Sequence, residues 1–173
     1  MYDDGYKNIT NIDISEVVIT QMSERNKNRP DMKWLTMDAL KTDFEEEVFD
    51  IILDKSTLDA ILCGDFSFYN AAKMMSEMQR IMRTDGFYIS ISYGKPETRV
   101  YHFTRKHLDF DISCFVLNSK YFQSSDLTNH VSEHFCYVCQ KGKQAQLKTS
   151  KYLESVLNEL YKQEVEEIQK SVY

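Results

Sequence analysis

The chain has 173 residues, 42% of them apolar, including ten Phe, eleven Tyr and eight Met. That is the length of one domain, with enough apolar and aromatic mass for a core, which excludes the disordered class. A net charge of −6 leaves no basic excess to neutralise phosphates, and no apolar run approaches the roughly 18–20 residues of a bilayer span, so neither nucleic acid nor membrane is expected as partner.

Taken in chain order, residues 8–13 (NITNID) read as a short strand ending on an acid. Ser15 then serves as N-cap of a helix reaching Asn28, which Pro30 closes. Residues 32–36 (MKWLT) form a second strand, followed by Asp38 in a loop. Residues 47–54 (EVFDIILD) hold a nearly unbroken apolar run, which suits a parallel strand buried on both faces. Lys55 to Leu62 reads as a turn or short helix. A longer helix follows over 67–83, with Phe68, Ala71, Ala72, Met75, Met78, Ile81 and Met82 at helical spacing. Asp85-Gly86 supplies the turn that ends it.

Residues 87–93 (FYISISY) form the next strand, which Gly94-Lys95-Pro96 breaks. A helix is expected over 97–107, then a closing pair of strands at 110–118 and 133–140. Ser150–Val172 carries Leu153, Val156, Leu157, Leu160, Val165 and Ile168 on one face of an amphipathic helix. Strands alternating with helices imply an α/β fold: a Rossmann-like, mostly parallel sheet with helices on both faces and an antiparallel edge. The domain is expected over 1–145, with 146–173 as a C-terminal amphipathic helix.

Asp13, Asp38 and Asp54 stand at or just past the ends of three strands. In an open parallel sheet, ligands bind beyond the carboxyl ends of the strands. An ionised carboxylate only accepts hydrogen bonds, so Asp13 suits a ribose diol and Asp38 an adenine amine. The alternative for each is a turn or helix-capping acid.

These runs resemble the class I S-adenosylmethionine-dependent methyltransferases. ITNIDIS (Ile9–Ser15) is similar to the family's second strand, and WLTMDALKTDF (Trp34–Phe44) to the loop after its third. FDIILDKSTLDAIL (Phe49–Leu62) is similar to its fourth strand and following loop, and RIMRTDGFYISIS (Arg80–Ser92) to the helix, turn and fifth strand. A closely similar pattern, E/D-K-G-T-L-D-A, is carried by methyltransferase-like proteins acting on lysine of elongation factor 1A; here Ser56 stands at the glycine. The resemblance implies S-adenosylmethionine as cofactor, with S-adenosylhomocysteine as product. It implies Asp13, Ile14, Asp38, Ala39 and Asp54 as cofactor-binding residues, and Asp54, Lys55 and Asp59 beside the transferred methyl group, with none assigned as base.

The family opens with a strand and a glycine-rich turn, where a Cβ would collide with the cofactor. The five glycines here form no such cluster, so the chain is expected to start inside the following helix as an incomplete version of the domain. A missing central strand would remove about five buried side chains, each contributing ~1.5–3 kcal/mol. The expected function is methylation of a protein lysine. A non-catalytic, protein-binding module and a small-molecule methyltransferase are the alternatives.

No metal site is expected. Cys136 and Cys139 point to opposite faces of a strand, and His102, His107, His130 and His134 lack a ligand spacing, which leaves them as surface or core residues. Without a basic, apolar leader in MYDDGYKN, the four cysteines read as reduced thiols and the location as cytoplasmic.

Overall fold

The computed structural model describes residues 1–117 and 133–171. Contacts divide the chain into two compact units, Met1–Asp43 and Phe44–Tyr173. His130 and the ends of the strand at 110–118 and of the last helix lie outside the described residues.

In the first unit, β1 (Thr10–Asp13) and β2 (Lys33–Thr36) pair in parallel, with Thr10 opposite Lys33 and Asp13 opposite Thr36. The crossover between them is α1 (Glu16–Arg25). Ser15 caps it as expected, its side chain accepting from Val18 N at 3.3 Å. Glu16 in the first turn and Arg25 in the last both suit the helix dipole. The helix stops at Arg25, short of Asn28, because Asn26 turns back and donates to the Met22 carbonyl at 2.8 Å.

The second unit holds a four-stranded sheet of β3 (Phe49–Lys55), β4 (Met82–Ser92), β5 (Phe110–Leu117) and β6 (His134–Lys141) in the order β3-β4-β6-β5. β3 and β4 are parallel; β6 runs antiparallel to both β4 and β5. The α/β alternation and the antiparallel closing pair are therefore as expected. The strands fall into two sheets, and among the described residues β1 and β3 each have a single strand partner.

Four helices belong to this unit: α2 (Thr57–Leu62), α3 (Ser67–Ile81), α4 (Pro96–Phe103) and α5 (Ala145–Ser171). Ala71, Ala72, Met74, Met75 and Met78 of α3 are buried. Ala72 packs on Val156 and Leu160 of α5, flanked by Tyr69 and Leu157. Phe66 stacks on Tyr161, with ring centroids 5.5 Å apart. The buried Glu164 accepts from the first backbone amides of α3, Phe68 N at 2.6 Å and Tyr69 N at 3.3 Å. α5 is thus part of the same compact unit as the sheet, joined to it by apolar packing and a long-range helix cap.

Four local expectations are revised. β3 is not buried on both faces: Ile51 and Leu53, on the face opposite Asp54, are each 50% exposed. Asp85-Gly86 lies inside β4, not before it. Register jumps from Phe49 opposite Met82 to Ile51 opposite Phe87, so the intervening residues form a bulge with Asp85 at φ 64. Gly86 is needed there because a Cβ would meet the Arg83 and Asp50 carbonyls at 2.8 and 2.9 Å. Pro96 starts α4 at its first turn, where a missing N–H costs nothing, and α4 ends at Phe103. The last helix begins at Ala145, five residues early. His102 and His107 are core residues. Among the described residues no helix is long and apolar enough to cross a membrane.

Candidate functional site

The first unit brings Asp13 and Asp38 to one end of its parallel pair. Asp13 is the last residue of β1, and its carbonyl accepts from Met37 N at 2.9 Å, one residue before Asp38. Each acid closes a turn on the backbone two residues ahead. Asp13 Oδ1 accepts from Ser15 N and Asp38 Oδ1 from Leu40 N, both at 2.8 Å. Both turn-closing roles are therefore real, and each occupies one oxygen of a carboxylate that has two. Ile14 is 74% exposed; Ala39 is half-buried.

In the second unit, strand alternation turns Asp54 and Lys55 to opposite faces. Asp54 is 4% exposed. Its Oδ1 accepts from Thr57 N at 2.7 Å; its Oδ2 accepts from Leu58 N at 3.2 Å, Tyr88 Oη at 2.8 Å and Ser90 Oγ at 3.2 Å. One carboxylate thus caps α2 and ties it to β4. Burial, with the Asp54 charge and hydrogen bond behind it, drives the Tyr88 hydroxyl well above its ordinary pKa, so Tyr88 stays a donor. Lys55 is exposed and pairs with Ile91.

Between Asp54 and α2 the chain passes through Ser56 at φ 66, ψ 7, the left-handed region. This is the position where the resembled pattern carries glycine, and the backbone here has the conformation glycine tolerates best.

Asp59, in the first turn of α2, makes a second tie. Its Oδ1 accepts from Ser92 Oγ at 2.5 Å and Arg99 Nε at 3.0 Å, and its Oδ2 from Tyr93 N at 3.0 Å. Burial alone would raise its pKa, but Ser92, the Tyr93 amide and Arg99 outweigh this and hold the carboxyl below its ordinary value. Ser92 Oγ also accepts from Gly94 N at 2.9 Å, and Tyr137 Oη donates to the Gly94 carbonyl at 2.6 Å. The segment after β4 is thereby fastened from α2, α4 and β6.

The structure therefore brings Asp54 and Asp59 onto neighbouring serines of β4 and places Lys55 on the other face. Tyr88, Ser90, Ser92, Tyr93, Arg99 and Tyr137 were not singled out from sequence. Alternation in FYISISY could have flagged the first three, since Tyr88, Ser90 and Ser92 share one face. Among the described residues no group of His, Cys, Asp and Glu could hold a metal ion. The four cysteines are free thiols, and Cys139 is buried where Cys136 is not, as opposite faces require.

In each unit, acids stand at or just past the carboxyl ends of parallel strands that alternate with helices, the α/β arrangement whose ligands bind at strand ends. The methyltransferase-domain family pattern matches residues 1–90, and the chain belongs to that family. It is 43% identical over 111 residues to the "eEF1A lysine and N-terminal methyltransferase" of Xenopus laevis, covering 61% of this chain and 16% of that protein. It is 32% identical over 116 residues to "EEF1A lysine methyltransferase 4" of Mus musculus, covering 62% of this chain and 46% of that one. This chain thus spans only a fraction of the length of either relative. Among solved structures it resembles the N-methyltransferase NodS of Bradyrhizobium japonicum in complex with S-adenosyl-L-homocysteine, with a TM-score of 0.59 and 18% identity over 78% of this chain and 67% of that one. A SAM-dependent methyltransferase of Methanosarcina mazei matches at TM-score 0.58 and 14% identity over 77% and 81% of the two chains. These two likenesses establish the fold.

Proposed function

We propose that the chain carries S-adenosylmethionine-dependent methyl transfer to a lysine side chain of a protein, with elongation factor 1A as the acceptor. The observation that carries this reading is the Asp54–Ala60 loop. It follows the D-K-x-T-L-D-A pattern, and its variable position, Ser56, takes the positive φ that a glycine there implies. The relatives' names and the strand-end acids support it.

The donor set fits the cofactor. Asp13 and Asp38 each retain a second carboxylate oxygen beyond the turn they close, suited to a ribose hydroxyl and an adenine amine, with Ile14 and Ala39 as the adjoining contacts. When bound, S-adenosylmethionine supplies an electrophilic methyl carbon. The chain's own residues align the acceptor and keep its amine neutral. Asp54 and Asp59 act as positioning residues: their oxygens are engaged by backbone, tyrosine, serine and arginine donors, so they set the shape of the loop. Lys55, exposed at its rim, is a like charge that lowers the pKa of an arriving amine. The free cysteines suit the reducing cytoplasm, where we place the protein.

The five scattered glycines favour a second reading, a methyltransferase-like module that binds protein without turnover. Calorimetric titration of the full-length chain with S-adenosylhomocysteine separates the two. The transferase reading expects saturable binding that Asp13→Ala weakens tenfold or more; no binding to the wild type supports the module.

A further inference from the structure

Tyr93 combines two properties: its backbone is tightly held and the residue is 61% exposed. Asp59 accepts its N–H, and the following Gly94 is fixed at its N–H by Ser92 and at its carbonyl by Tyr137. An exposed aromatic ring gains little from burial where it stands, so this fastening orients the ring toward something other than the core. The ring lies against His134, with centroids 4.2 Å apart at 46°.

Strand register fixes where this pair sits. Ile91 pairs with Lys55 on one side and Cys136 on the other. Tyr93 lies two residues beyond Ile91 and His134 two residues before Cys136, so both continue the face that carries Lys55, at the carboxyl end of β3 and β4. The pair is therefore on the Lys55 side of the loop that begins at Asp54. Asp59, which holds the loop after β4, fixes Tyr93 as well.

We infer that the Tyr93–His134 pair receives the acceptor's side-chain ammonium, the tyrosine face attracting the cation and the imidazole supporting the ring from beside it. This rests on the transferase reading and deepens it. Aromatic faces attract lysine ammonium and, more usefully for a methyltransferase, methylated ammonium, which retains its charge while shedding bound water. The chain's net charge of −6 favours the approach of a basic acceptor. Lys55 on the same face then opposes the bound charge and favours loss of the proton, so the ring supplies binding and the lysine supplies the bias toward the neutral amine. Tyr93 is in this account a substrate-binding residue, and Asp59 acts through it.

Two measurements on the full-length chain test this. The first is an NMR titration with Nα-acetyl-lysine amide and with its Nε-trimethyl form. Saturable shifts of the Tyr93 and His134 ring signals are expected in the wild type, with the His134 shift lost in Tyr93→Ala; unmoved ring signals in the wild type would overturn the inference whether or not the protein turns over. The second compares steady-state methyl transfer to elongation factor 1A by wild type, Tyr93→Ala and Tyr93→Phe. Tyr93→Ala should raise KM for the protein acceptor about three- to thirtyfold, the range of a cation–π contact. Affinity for S-adenosylhomocysteine should be unchanged, and Tyr93→Phe should restore KM. A KM unaffected by Tyr93→Ala, or a parallel loss of cofactor affinity, contradicts the assignment. Saturable ring shifts without any transfer by the wild type would uphold the cation site and sink the transferase reading.

Discussion

Tyr88 Oη donates to Asp54 Oδ2 at 2.8 Å in the interior of the second unit, joining the middle of β4 to the carboxyl end of β3. Tyr88 is fully buried, and its partner is charged. Tyr88→Phe keeps the ring and removes one donor, at a cost of about 1.5–3 kcal/mol. Urea denaturation should show that drop in midpoint with an unchanged slope. A loss below about 0.5 kcal/mol, the level of an ordinary surface change, would mean the carboxylate is satisfied without Tyr88.

Ser56 holds a left-handed conformation at φ 66. Ser56→Gly removes the steric penalty on its Cβ but loosens the unfolded chain, for a net stabilisation of about 0.5–1 kcal/mol. Ser56→Val should destabilise, because a β-branched residue is least tolerant there. Thermal melts of the two variants should move in opposite directions; equal melts would show that the loop relaxes to accept either residue.

Glu164 caps α3 from 96 residues away in sequence, through Phe68 N. Glu164→Ala should cost about 1–2 kcal/mol, in the range of a strong N-cap loss. Glu164→Gln, which retains one acceptor, should cost less. Hydrogen exchange at Phe68 and Tyr69 reports the site directly: faster exchange in Glu164→Ala is expected, and unchanged exchange would refute the cap.

His102 and His107 are buried beside Arg105. Burial first, then that guanidinium, lowers His102 to about 4; burial lowers His107 to about 4 against a backbone hydrogen bond to Ala72 that raises it, with Arg105 adding to the lowering. A folded-state pKa below the unfolded 6.5 means the unfolded chain binds more protons as pH falls. Stability is therefore whole above pH 6.5 and lost progressively between 6.5 and 4, on the order of 3 kcal/mol per histidine at the acid end. Carboxylates held low, such as Asp59 and Asp109, add their own loss only at lower pH. The urea midpoint should fall between pH 7 and 5, and His107→Gln should flatten that fall; an unaltered slope would place the protons elsewhere.

β1 and β3 were legible because each run ended on an acid, Asp13 or Asp54, and α3 because its apolar residues recur at helical spacing. Asp54 and Asp59 were legible as a motif but not as ties, because their partners, Tyr88, Ser90 and Ser92, lie over 30 residues away on another strand. FYISISY is counter-intuitive: its polar face is buried against Asp54 and Asp59, while Phe87 is 36% exposed. The cap by Glu164 carries no sequence signal, since only the tertiary fold supplies the amides it accepts from. Asp85-Gly86 was a sound turn signal whose turn is a bulge, a distinction set by pairing with β3.

The central claim is methyl transfer to a protein lysine. Full-length chain, S-adenosylmethionine and unmodified elongation factor 1A should be incubated together and the factor analysed by peptide mass spectrometry. The account predicts methyl groups on a lysine, absent without donor and sharply reduced in Asp13→Ala. An unmodified factor from a chain that binds S-adenosylhomocysteine would contradict this acceptor, and an unmodified factor from a chain that binds none would contradict transferase activity itself.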